Sequence, residues 1–135
     1  GGRAMAEHDS VVADGARRYD MGEKNNPIAL PMGVRALQQL LSWDPARIAA
    51  TIRPLTDRIA EEGQARGFTV PPAGRRVAHI IGMRRPDGLP DDIDERLAAE
   101  NVHISLRGDS LRVSPHLFNT GEDVDRLFAA LDRVL

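Results

Sequence analysis

The dipeptide Gly108-Asp109 lies between two stretches in which apolar and polar residues alternate, 102–106 and 111–113. Glycine first and a polar residue second is the pattern of a two-residue type II′ turn, whose twist matches that of the strands it joins. With these two residues in the turn, the pairing follows. Arg107 faces Ser110, Leu106 faces Leu111, Ser105 faces Arg112, Ile104 faces Val113 and His103 faces Ser114. Side chains alternate along a strand, so Ile104, Leu106, Leu111 and Val113 share one face, which must meet helices. His103, Ser105, Arg107, Ser110, Arg112 and Ser114 share the other.

The remaining segments supply those helices. Residues 1–30 carry no sustained period and include Gly15, Gly22, Asn25, Asn26 and Pro27, which reads as an extended arm. A helix is expected to open at Pro31 and run to Trp43, with Val34, Leu37, Leu40 and Leu41 on one stripe. Asp44 caps a second, with Pro45 in its first turn and Ile48, Ile52, Leu55 and Ile59 on a face, until Gly63 or Gly67 ends it. Pro54 removes one of its backbone bonds and should kink it. Residues 68–70 and 77–83 read as strands around the turn cluster Pro71, Pro72 and Gly74. Asp91 or Asp92 can cap a short helix bearing Ile93 and Leu97. Thr120 followed by Asp123 has the form of a capping box opening a last helix with Val124, Leu127, Phe128, Leu131 and Leu135. The order predicts an α+β fold, a small antiparallel sheet with helices packed on one face.

Composition removes several classes of function. The 135 residues contain no cysteine, so thiolate catalysis, zinc knuckles and redox pairs are excluded. A net charge of -2 with interspersed signs is no nucleic-acid footprint. No apolar run approaches the ~20 residues of a membrane span, and no signal peptide is apparent, so a cytoplasmic location is expected. Of the 18 basic residues, Lys24 is the one lysine. His8, His79, His103 and His116 lack metal-ligand spacing, and His79 reads as a core residue in an apolar strand. Asp91, Asp92, Asp94 and Glu95 suit a helix first turn, where the dipole favours negative charge.

The polar hairpin face is more informative. It carries two guanidinium groups beside hydroxyls and no carboxylate. Arginine presents a fixed fork of donors that matches a carboxylate in bidentate fashion. A half-buried hairpin also ordinarily has one solvated polar face, and on the pattern alone the two arginines need no ligand.

The stretch Ser105-Leu106-Arg107-Gly108-Asp109-Ser110-Leu111-Arg112-Val113-Ser114-Pro115-His116-Leu117-Phe118-Asn119-Thr120 resembles the C-terminal small domain of class V aminotransferases. These are pyridoxal-phosphate (PLP) enzymes of fold type I, related to cysteine desulfurases and kynureninase. Arg17-Arg18-Tyr19-Asp20-Met21-Gly22-Glu23 through Pro31-Met32 is similar to the family's crossing segment from the large domain into the small one. The resemblance implies an arm at 1–30 and a small domain at 31–135. It implies that Arg112 grips a substrate carboxylate, steadied by Ser105, and that Gly22, Glu23, Asn25 and Asn26 lie toward the cofactor phosphate. Many relatives have Gly-Thr where this chain has Gly22-Glu23. A carboxylate there repels a phosphate, so either Asn25 or Asn26 makes the contact or the segment is used differently. Lys24 does not match the cofactor lysine, which the family carries in its large domain. By this resemblance the chain is catalytically silent alone, its partners being that large domain, an amino-acid substrate and a second subunit in a homodimer. The alternatives are a free-standing amino-acid-binding or interaction module and a structural domain whose helices serve oligomer contacts.

Overall fold

The computed structural model describes residues 27–135, and contacts divide the chain after Gln39. Most of the expected arm therefore lies outside the described residues. Helix α1 (Ala29–Trp43) opens two residues before the expected Pro31. None of its residues is buried, and Val34, Leu37, Leu40 and Leu41 are all exposed.

From Leu40 onward the chain builds one core. Helix α2 (Pro45–Ala65) begins where Asp44, at φ 64, accepts a hydrogen bond on Oδ1 from the Ala46 N–H at 2.9 Å. A side-chain acceptor here satisfies an amide that the helix itself leaves unpaired. Its buried stripe is Ile52, Thr56, Ile59, Ala60 and Gly63. The helix continues through Pro54, which faces solvent. It ends where Gly67, at φ +82, donates to the Gln64 carbonyl at 3.0 Å and Phe68 donates to Gly63 at 2.9 Å. That pair of bonds is a Schellman motif, which needs a left-handed residue just past the helix. Gly63 also lets the helix approach the sheet: a Cβ there would meet Met83 Sδ at 2.9 Å.

The sheet has three strands, β1 (Ile81–Arg84), β2 (Ser105–Arg107) and β3 (Ser110–Val113), in the order β1-β3-β2 and antiparallel throughout. The hairpin has the predicted register, with Ser105 opposite Arg112, Leu106 opposite Leu111 and Arg107 opposite Ser110. Gly108 has φ +60, as the first position of a type II′ turn requires. On its other edge β3 pairs with β1, placing Ile81 opposite Val113, Gly82 opposite Arg112 and Met83 opposite Leu111. Ile81, Met83, Leu111 and Val113 face the core, where they join Ile59, Phe68, Ile93, Leu97, Leu127, Phe128 and Leu131. Fully burying a side chain of this size contributes about 1.5–3 kcal/mol. Helices α3 (Ile93–Ala99) and α4 (Gly121–Val134) complete this layer, so the fold is α+β with helices on one face of a small antiparallel sheet. Asn101, at φ 58, ends α3 with a second Schellman motif.

Three strand expectations need correction. Within residues 68–70 only Thr69 pairs, in a single bridge to Arg84, because Pro71 and Pro72 have no N–H to extend a ladder. Residues 77–80 are not strand. The Ala78 carbonyl accepts from Thr56 Oγ1 at 3.0 Å, and Arg76 is tied to Asp57 at 2.7 Å, so helix α2 takes the partners a strand would use. Residues 102–104 stay outside β2, since the Val102 amide turns back to the Leu97 carbonyl at 2.9 Å. His79, expected in the core, is exposed on this irregular segment. Among the described residues, no helix is long and apolar enough to cross a membrane and no group of acidic, histidine or cysteine side chains is placed to hold a metal.

Candidate functional site

The core-facing side chains of the sheet determine what its opposite face presents. Because Leu111 and Val113 point inward, Arg112 between them points outward, at the centre of the central strand. Its neighbours across the two edges are Gly82 and Ser105. Arg112 is half-buried, and its Nε is buried with no hydrogen-bond partner. No carboxylate among the described residues forms an ion pair with it. An unsatisfied buried donor costs about 1–3 kcal/mol, which an incoming acceptor can return.

Gly82 is a part of this site that the sequence reading missed. Among the described residues a Cβ built on it would meet nothing within 4 Å, so they leave the face open beside Arg112 on the β1 side. A glycine within a strand commonly marks a place where another group approaches closely, and that signal was present in 77–83.

The outer face also holds a third guanidinium, because β1 brings Arg84 opposite Ser110. Asp109, in the hairpin turn, forms an ion pair with Arg84, so the face does contain one carboxylate, contrary to the hairpin-only reading. The hydrogen bond from Arg84 holds the Asp109 carboxyl below the usual carboxylate range. Ser110 Oγ donates to the same carboxylate at 3.3 Å. Arg107, exposed on β2, has no ion pair among the described residues.

The segment after β3 is fixed by Asn119. Its Oδ1 accepts from the His116 N–H at 2.9 Å and its Nδ2 donates to Asp123 at 3.3 Å. Asp123 also accepts from the Thr120 N–H at 2.9 Å, as the Thr-Asp spacing predicts for a capping arrangement. These backbone and amide bonds hold the Asp123 carboxyl below its usual range. Arg58 reaches from α2 to the Gly121 carbonyl at 3.1 Å and pairs with Asp125. The segment after β3 is thus anchored to α4, and α4 in turn to α2. A groove of about 340 Å³ opens there, with His103, Ser114, Phe118, Asn119, Asp123 and Arg126 in its lining, and Arg112 is not part of it.

Arg112 and Ser105 therefore come together as expected. Gly22, Glu23, Asn25 and Asn26 lie outside the described residues, as does Lys24, so the described part of the chain contains no lysine.

The fold matches a small domain of the NifS-like kind. Two of the solved structures that share it illustrate the likeness. A NifS-like protein superposes with a TM-score of 0.72 at 14% identity, over 93% of this chain and 38% of its own length. Alanine–glyoxylate aminotransferase from Nostoc sp. superposes with a TM-score of 0.59 at 23% identity, over 84% of this chain and 34% of its own. The chain spans less than two-fifths of either protein. No protein-family model matches the chain. No curated protein matches it either.

Proposed function

We propose that the chain is the C-terminal small domain of a PLP-dependent, class V aminotransferase-like enzyme acting on amino acids, and that Arg112 binds the substrate carboxylate. The observation that carries this reading is the Arg112 guanidinium itself. It projects from the sheet face away from the core and, among the described residues, is unpaired and has open space beside it at Gly82. The likeness in fold to a NifS-like protein and an aminotransferase supports the enzyme class.

In this reading Arg112 holds the carboxylate through charge-assisted, bidentate hydrogen bonds and so orients the amino group. Ser105 stands directly across the ladder, where it is placed to steady the guanidinium once a ligand is held. PLP would supply the electron sink for the amino-acid chemistry. By the family resemblance the lysine that attaches it belongs to the large domain, and the chain alone is silent. Two subunits of the complete enzyme form the homodimer, in the cytoplasm.

The test is Arg112→Ala in the enzyme that carries this domain. Losing a charge-assisted contact of about 1.5–3 kcal/mol corresponds to a roughly 10- to 150-fold rise in KM for the amino substrate, with PLP still bound. An unchanged KM removes Arg112 from the site. Calorimetry of the isolated chain with amino acids separates the free-standing module, which gives measurable binding heat, from the half-site proposed here, which binds too weakly for its heat to be detected.

A further inference from the structure

On the outer face of the sheet, among the described residues, three guanidinium groups meet one carboxylate. Asp109 neutralises Arg84, and the bond is made within the hairpin turn. Arg107 and Arg112 remain without an ion pair among the described residues. Both point away from the core, since Leu106 and Leu111 between them pack inward. They are diagonal neighbours: Arg107 stands opposite Ser110 and Arg112 opposite Ser105, two positions along the same ladder. Diagonal neighbours of this kind are about 7–8 Å apart, with their Cβ atoms somewhat closer, within mutual reach of long side chains. The groups between them are the hydroxyls of Ser105 and Ser110, and the latter already donates to Asp109. A ligand with one carboxylate leaves one of the two cations uncompensated.

We propose that Arg107 is a specificity-determining residue that recognises a second carboxylate, so that the domain selects dicarboxylic amino acids. This deepens, and rests on, the assignment of Arg112 to the substrate carboxylate. The two arginines have unequal parts. Arg112 is half-buried on the central strand and fixes the ligand. Arg107 is exposed on the edge strand beside the turn and discriminates among ligands already held.

The experiment follows the arginine Nε–Hε resonances of the isotopically labelled 135-residue chain during titration with glutarate and, separately, with butyrate at matched ionic strength. Both probes are weak ligands and are taken to tens of millimolar. Glutarate shifts the resonances of both arginines, and butyrate shifts that of Arg112. An exposed ion pair of about 0.2–1 kcal/mol, multiplied by the statistical factor of two for a symmetrical diacid, makes glutarate roughly 3- to 10-fold tighter. Arg107→Gln lowers that ratio to the statistical factor and leaves butyrate binding unchanged. Arg112→Gln abolishes binding of both. If butyrate moves Arg112 and glutarate gains nothing beyond the statistical factor, or if Arg107→Gln leaves the ratio intact, the selectivity is refuted and the carboxylate site stands. If neither probe moves Arg112, both readings fail.

Discussion

Leu111→Ala and Arg112→Ala place the same truncation on adjacent residues of β3 that point to opposite sides of the sheet. Leu111 is fully buried at the middle of the ladder, opposite Met83 on one edge and Leu106 on the other. Its replacement removes buried methyl groups and leaves a cavity that strands on both sides keep from collapsing, at a cost of about 2–5 kcal/mol. Arg112 loses no ion pair on truncation, and relief of its unsatisfied Nε offsets the lost packing of its half-buried stem, so the change stays within roughly 0.5 kcal/mol. In urea, with a slope of about 1.5 kcal/mol per molar, a 3 kcal/mol loss moves the Leu111→Ala midpoint down by ~2 M. The Arg112→Ala midpoint moves by no more than ~0.3 M on the same scale. Unfolding followed by far-UV circular dichroism measures both. An Arg112→Ala variant as unstable as Leu111→Ala would show that the guanidinium serves the fold, and the outward-facing ligand site would have to be abandoned.

Two further outcomes test the framework around the site. Asp44→Ala should lose about 1 kcal/mol through its missing cap, with Asp44→Asn close to the parent because it keeps an acceptor and tolerates positive φ; equal losses in the two variants would deny the capping role. Asp92, Asp109 and Asp132 are held below the usual carboxylate range by Arg96, Arg84 and Arg66 respectively, and Asp123 by the Thr120 amide. Depressed folded-state values mean that the unfolded chain binds more protons in acid. Their stabilisation is therefore complete above the unfolded value of about 3.9 and is lost as pH falls through the folded values. The urea midpoint should be flat from pH 7 to 5 and fall below pH 4; a flat profile down to pH 3 contradicts these pairings.

The hairpin was legible because its signal is local. A Gly-Asp turn and period-two alternation determine register and faces without knowledge of the rest of the chain, and the pairing of Arg112 with Ser105 on the outer face followed from them, whereas the roles given to the two residues came from the family resemblance. The strands misread at 68–70, 77–80 and 102–104 show the limit of that signal. Phe68, Val70 and Ala78 are buried, as their apolar character predicts, yet burial does not make a ladder. There the backbone partners came from Thr56 or a helix end, and prolines stopped the pairing. These are long-range facts that no alternation encodes. Gly82 beside Arg112 and the Arg84–Asp109 pair depend on the β1–β3 register, which joins segments about thirty residues apart and has no turn to announce it.

The placement of β3 between two strands has a mechanical consequence. Both of its hydrogen-bonding edges are occupied, so freeing it requires breaking the sheet, and its amides should exchange only with global opening. A group mounted on such a strand has a stationary base: ligands of different size are met by rotation about side-chain bonds alone. Arg107, on the rim, is mounted on a strand with one edge unshared, so a binder evolving toward new substrates would alter the rim first and leave the anchor where it is.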